Sequence, residues 1–390
     1  MRWKIFDAGA RLPFNAAGPA SHLGVGCYTF GCSMEKRRII DEEALKNSSI
    51  AELLATEAET SKQPLQKALR RASRRAFLWP QEAALLVREQ RSLEEFSGVG
   101  PYLNKIIRRW IEHPPAMPEP PEIRKGFFTL PEAGAVLASQ PSWLSSVKGD
   151  LQMHTQWSDG SASIEEMAEA AAARGYEYIA IIDHSKGLKI AGGINEEQLQ
   201  QQAAEIASVN EASKTASRGV SVLQSVELNL DPPGEGDMDE MALSKLDLVL
   251  GCFHSALRRK EDQTEWYLAA LRNPTIQILG HPRGRIYNYR VGLKADWPRV
   301  FDLAAELDKA VEIDAYPDRQ DLSNDLVKLA RKAGCRISLG TDSHGPSQLA
   351  FIEFGLASAL AGGIKRERIL NFMSREKLLN WAASVREARK

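Results

Sequence analysis

The chain has 390 residues, more than one hydrophobic core ordinarily serves, so two domains or one large barrel with an appendage are expected. Its 50 basic and 51 acidic side chains leave a net charge of −1, which neither requires nor excludes a polyanionic partner. Four irregularly spaced cysteines without a CxxC pair exclude a disulfide scaffold, and no apolar run is long enough to span a bilayer, so a cytoplasmic protein is expected.

Residues 1–33 are rich in glycine and scattered aromatics and show no period, whereas the sequence turns helical at Met34; we read 1–33 as a leader or a mis-assigned start. From Ser48 to Pro80 the apolar residues recur at helical spacing, with Ser48 or Ser49 placed as an N-cap. Lys62, Lys67, Arg70, Arg71, Arg74 and Arg75 fall here in a run without an acid. RSLEEFSGVGPYLNKIIRRWIEHPP follows: Ser92 caps a short helix, Gly98-Val99-Gly100 makes a turn, and Pro101 opens a second helix carrying Lys105, Arg108 and Arg109. That pattern reads as a helix-hairpin-helix. Glycines at the turn let backbone N–H groups at a helix start approach a DNA phosphate, so Gly98, Gly100, Lys105, Arg108 and Arg109, with Arg70 and Arg74, are the candidate DNA contacts. The helical domain is set at 34–113. A Pro-rich linker and short helix occupy 114–147, and the second domain runs over 148–390.

In that second domain β-rich runs (DLQMH, YIAIID, VLQSVELNL, LDLVLGCFH, IQILGH, AVEIDAY, RISLGTD) alternate with helical patterns, which predicts an α/β fold with a parallel sheet, open or closed. Residues able to bind metal stand at the strand ends: His154 and Asp159, His184, Glu227, His254, His281, then Asp342 and His344. In a barrel such ends converge on one rim. Five of the chain's seven histidines share this relative position, which points to a multinuclear site of two or three divalent ions, Zn²⁺, Mn²⁺ or Fe, with Glu227 and Asp342 able to bridge. Clustered cations activate water and neutralise a phosphoryl oxygen, so His154, Glu227, Asp342 and His344 are the candidate catalytic groups of a phosphoesterase. Lys186, Arg258 and Arg283, close behind ligand positions, are candidate phosphate contacts. Asp314 is read either as a partner that orients a ligand or as a turn cap, and Cys252 as a buried thiol.

GDLQMHT…SDG, IDHSKGLKIAGG, SVELNL, CFHSALR, LGHPRGR and GTDSH, in this order, resemble the PHP (polymerase and histidinol phosphatase) family, most closely the PHP domain at the C-terminal end of bacterial family X DNA polymerases. The resemblance implies a (β/α)7 barrel, a three-metal site, and phosphoester hydrolysis at DNA 3′ ends. Between hairpin and barrel there is no room for a polymerase palm and no closely spaced acidic pair, so no polymerase activity is expected. Gln152 stands where the family usually has a histidine, which leaves one ion with a weaker, neutral ligand and favours Mn²⁺ or a two-ion site. The alternatives are a small-molecule phosphatase of the histidinol-phosphate type, and a non-catalytic DNA-binding protein.

Overall fold

The computed structural model describes residues 44–215 and 219–387. The leader at 1–33 and the start at Met34 lie outside the described residues. Helices α1 (Asn47–Thr60), α2 (Leu65–Arg75), α3 (Ala83–Arg88), α4 (Pro101–Glu112) and α5 (Leu130–Ala138) precede the first strand. Strands β1 (Gly149–Met153), β2 (Tyr178–Ile181), β3 (Ser221–Asn229), β4 (Leu248–Cys252), β5 (Ile278–Leu279), β6 (Ala310–Asp314) and β7 (Arg336–Gly340) then alternate with helices. Those helices are α6 (Ile164–Ala173), α7 (Glu196–Thr215), α8 (Glu240–Leu243), α9 (Thr264–Arg272), α10 (Trp297–Glu306) and α11 (Asn324–Ala333), with α12 (Ile352–Ala361) and α13 (Arg375–Glu387) after β7.

The chain divides into two compact units. One contains Glu82–Ala116, the other Asn47–Gln81 with Met117 onward. In the first, Ser92 Oγ accepts from Glu94 N at 3.2 Å, and Gly98 adopts φ +80°, a conformation costly for any residue with a Cβ. Gly100 caps α4 in an extended conformation and Pro101 fills its first turn, where a missing N–H costs nothing. The Arg108 guanidinium donates to Arg91 O at 2.6 Å, so it ties the hairpin together, while Lys105 and Arg109 are exposed.

The second unit holds the seven strands, paired in parallel in sequence order β1 to β7. Two apolar layers follow from strand alternation: Ile179, Val222, Val249 and Val311 pack outward under the helices, and Tyr178, Ala180, Leu223, Leu250 and Ile278 fill the interior with Leu370 and Trp381. The edges β1 and β7 are brought together at one end by the Met153–Ser343 bridge. Deeper in, buried Asn371 donates to Gly149 O at 2.9 Å and Leu339 O at 2.8 Å and accepts from Leu339 N at 2.8 Å. Asn371→Ala strands three buried backbone groups at once. We expect a loss of about 3 kcal/mol or more in urea unfolding, since each such group costs roughly 1–3 kcal/mol.

The sequence-based boundary between a 34–113 helical domain and a barrel starting at 148 is not where the units divide. Helices α1 and α2 belong with the barrel, because Arg124 and Tyr287 reach them: Ser73 Oγ lies 2.9 Å from Ala51 O and 3.0 Å from Tyr287 Oη. Arg70, exposed, and Arg74, half-buried, therefore sit in a different unit from the hairpin. The expected serine cap also differs. Helix α1 starts at Asn47, whose amide donates to Gln81 O at 3.0 Å, and Ser48 Oγ instead donates to Glu132 of α5 at 2.7 Å.

Candidate metal centre

Glu227 in β3 is the hub. Its carboxylate is fully buried, with Oε1 2.7 Å from His281 Nε2 and 2.8 Å from His254 Nε2, and Oε2 3.3 Å from both His154 Nε2 and His184 Nδ1. Four imidazoles from the ends of four different strands thus meet one carboxylate, which is what parallel strands in a closed sheet deliver. His154 Nε2 also lies 3.0 Å from Asp342 Oδ1. On its other side Asp159 Oδ1 stands 3.5 Å from His184 Nε2 and 3.3 Å from His344 Nε2, and the ring of His154 is stacked between those of His184 and His344 at 4.4 and 4.5 Å.

These atoms fall into overlapping sets spaced as metal ligands are: His154, Asp159, His184 and His344; His184, Glu227 and His254; Glu227, Cys252 and His281; His154, Glu227 and Asp342. The residues suit divalent ions on a second ground. Buried His154 Nδ1 and Nε2, His184 Nδ1 and Asp159 Oδ1 have no hydrogen-bond partner, a costly condition for polar atoms unless a cation takes their lone pairs. Imidazole with carboxylate is a donor set for Zn²⁺, Mn²⁺ or Fe.

Outer contacts fix the ligands' orientation, as they do around metals generally. Asn229 Oδ1 meets His254 Nδ1 at 3.1 Å, the backbone O of Asp342 meets His344 Nδ1 at 2.8 Å, and Gln348 Oε1 accepts from His344 N at 2.7 Å. Asp183 accepts from Thr155 N at 2.8 Å, Thr155 Oγ1 at 2.7 Å and Gln202 Nε2 at 2.7 Å, and so holds the loop between His154 and Asp159. Burial pushes the His184 imidazole down to about 3, keeping it the neutral lone-pair donor that ligation needs. Burial would raise Glu227, but His184, His254 and His281 outweigh it and hold the carboxyl well below its usual range.

The structure brings together His154, Asp159, His184, Glu227, His254, His281, Asp342 and His344, with Gln152 beside them 3.5 Å from Glu227 Oε2. The phosphate candidates are placed less uniformly. Lys186 pairs with Glu196 at 2.6 Å, a solvated ion pair rather than a free cation. Arg258 is exposed and stacks over Tyr289 at 4.4 Å, and Arg283 is mostly buried, 3.9 Å from Glu122. Two residues of the site escaped the sequence reading. Arg319 ion-pairs with Asp342 Oδ2 and lies 3.7 Å from Asp314 Oδ2, its side chain 31% exposed; the rule that chemistry follows strand ends would have found it in the loop after β6. Glu312, fully buried inside β6, accepts from His281 N at 2.7 Å. Asp314 both accepts from Tyr316 N at 2.7 Å, capping the turn, and contacts Arg319. Cys252 lies within ligand spacing of Glu227 and His281, but burial raises its thiol well above the usual value, which disfavours a thiolate ligand.

Residues 150–341 match the PHP domain. Over 232 residues the chain is 36% identical to the DNA polymerase/3′-5′ exonuclease PolX of Bacillus subtilis (strain 168), a match that takes in 59% of this chain. The chain spans only 40% of that protein's length. It is 30% identical over 205 residues to a probable phosphatase of Acetivibrio thermocellus, covering 50% of this chain and 78% of the relative. Among solved structures, histidinol phosphate phosphatase from Lactococcus lactis, complexed with zinc, L-histidinol and phosphate, is 17% identical and covers 56% of this chain and 94% of that one at a TM-score of 0.42. The matched segment takes in the seven strands but for Gly149 at the start of β1, together with His154, Asp159, His184, Glu227, His254 and His281, and Asp342 and His344 follow directly; the chain belongs to the PHP domain family.

Proposed function

We propose that this chain is a metal-dependent phosphoesterase that removes nucleotides or blocking groups from DNA 3′ ends and has no polymerase activity. The observation that carries the reading is the meeting of four imidazoles on the buried Glu227 carboxylate, with Asp342 against His154 and Asp159 between His184 and His344 beside it. Two or three divalent ions held there by His154, Asp159, His184, Glu227, His254, His281, Asp342 and His344 would polarise a phosphoryl oxygen and lower the pKa of a water. The chain's own part is to keep those groups oriented and dry, through Asn229, Gln348 and Asp183. Arg319, the partly exposed cation beside Asp342, is placed to offset charge on a phosphoryl oxygen. No serine or cysteine nucleophile is required.

The DNA side of the reading is supported by the Gly98–Gly100 turn at the start of α4, with Lys105 and Arg109 exposed on that helix. Because Arg108 binds the backbone of Arg91, the fair test uses Lys105→Ala with Arg109→Ala. Processing of a 5′-labelled nicked duplex should fall at least about tenfold, with a shallower salt dependence, while hydrolysis of a small aryl phosphate is unchanged. Equal loss on both substrates, or none on DNA, overturns the DNA reading and leaves a small-molecule phosphatase.

A further inference from the structure

The position where a histidine was expected holds Gln152, fully buried at a register irregularity of β1 between Asp150 and Met153. Irregularities of this kind re-aim a side chain without disturbing the rest of the sheet. The two ends of an amide are told apart by their partners. One end of Gln152 lies 2.6 and 3.2 Å from the two carboxylate oxygens of Glu312, and only an NH₂ group is at home between acceptors. The other end, the carbonyl oxygen, is then 3.5 Å from Glu227 Oε2, which is 3.3 Å from His154 Nε2, itself 3.0 Å from Asp342 Oδ1. Donors around one ion bound at about 2.1 Å stand roughly 3.0–3.5 Å apart, and each successive pair in this series has that separation, with His154, Glu227 and Asp342 also forming one mutually close ligand set.

The pair is built in from several sides. Glu312 is fully buried and its Oε2 also accepts from His281 N at 2.7 Å, so one carboxylate steadies two ligand-bearing residues. Across from it stands Gly340, where a Cβ would come within 2.7 Å of Gln152 Cβ and overlap Glu312 Oε1. The glycine is what leaves room for the amide and the carboxylate to lie side by side.

We propose that Gln152 is the metal-selecting ligand of this centre: its carbonyl oxygen completes the ion position bounded by Glu227, His154 and Asp342, and buried Glu312 is the positioning residue that holds it in that orientation. The inference rests on the metal-dependent reading of the site. It has a chemical consequence, because an amide oxygen in place of imidazole nitrogen makes this position harder than its neighbours and turns it toward Mn²⁺ over Zn²⁺.

The test is metal uptake rather than turnover. Wild type, Gln152→His and Glu312→Gln are stripped of metal, re-equilibrated with equal Mn²⁺ and Zn²⁺, and their bound ions counted by mass spectrometry, with the visible spectrum of the Co²⁺ form recorded for each. In wild type one equivalent of Mn²⁺ should persist beside Zn²⁺. Gln152→His should exchange that equivalent for Zn²⁺ and shift the Co²⁺ bands toward a nitrogen-richer field, and Glu312→Gln should weaken one ion by about 10–100-fold while the others stay. Should Glu312→Gln fail to fold, Gln152→His decides alone. Unchanged ion ratios and Co²⁺ spectrum in Gln152→His overturn the proposal while the metal centre stands. A wild-type chain that takes up no ion overturns the phosphoesterase reading itself.

Discussion

An Asp342→Asn chain should hydrolyse phosphoesters about a thousandfold more slowly than wild type, the scale on which a preorganised electrostatic partner of the transition state is missed, and yet bind nicked duplex DNA with nearly unchanged affinity. The substitution is a clean one for a backbone reason. Asp342 adopts φ +51°, and asparagine is among the few residues that accept the left-handed region readily, so the turn after β7 should persist. What changes is charge. Asp342 faces His154 Nε2 at 3.0 Å and ion-pairs with Arg319, and those neighbours hold its carboxyl far below the ordinary range despite burial. A neutral amide keeps the shape but gives up an anionic donor shared by the ligand cluster and the Arg319 guanidinium. Shortening of a labelled strand in the presence of Mn²⁺, followed on a gel beside a mobility shift, reads both quantities. Retained hydrolysis would place the chemistry elsewhere in the chain; loss of DNA binding in step with hydrolysis would mean that the barrel itself carries the affinity.

The convergence of these histidines and carboxylates was legible because of a simple geometric rule. Apolar β-rich runs ending in His, Asp or Glu recur in the second half of the chain, and parallel strands in a closed sheet carry those ends to one face. Glu312 was not legible for an equally physical reason. Within AVEID it occupies an alternate position of a strand, and alternation alone does not say whether that side chain meets solvent or the barrel interior. Lys186 and Arg108 show the converse limit: their charge can be read from sequence, but the carboxylate of Glu196 and the carbonyl of Arg91 that engage them are brought near only by the fold. The helices α1 and α2 declare an apolar face that needs covering, and periodicity does not name what covers it.

Toward the barrel, α1 is held by a buried polar contact, and that contact can be measured. Arg124 is buried with its side chain 6% exposed, and its Nη2 and Nε lie 2.9 Å from the carboxylate of Glu52 in α1, which is itself buried. Nη1 reaches Glu59 Oε1 at 2.7 Å and Asn288 Oδ1 at 3.1 Å, so one guanidinium joins α1 to the loop that carries Tyr287. Arg124→Ala leaves Glu52 buried and unpaired, and removal of one partner from such a pair typically costs about 3–5 kcal/mol. Replacing Glu52 and Arg124 together by leucine should recover much of that loss, because the penalty lies in the stranded charge rather than in the lost attraction. Urea unfolding followed by tryptophan fluorescence and by circular dichroism should give one shared transition that moves to lower urea in the single variant and back in the double. If the single variant instead melts α1 and α2 in a separate early step, with the barrel transition unmoved, these helices fold apart from the barrel, as a helical domain at 34–113 requires.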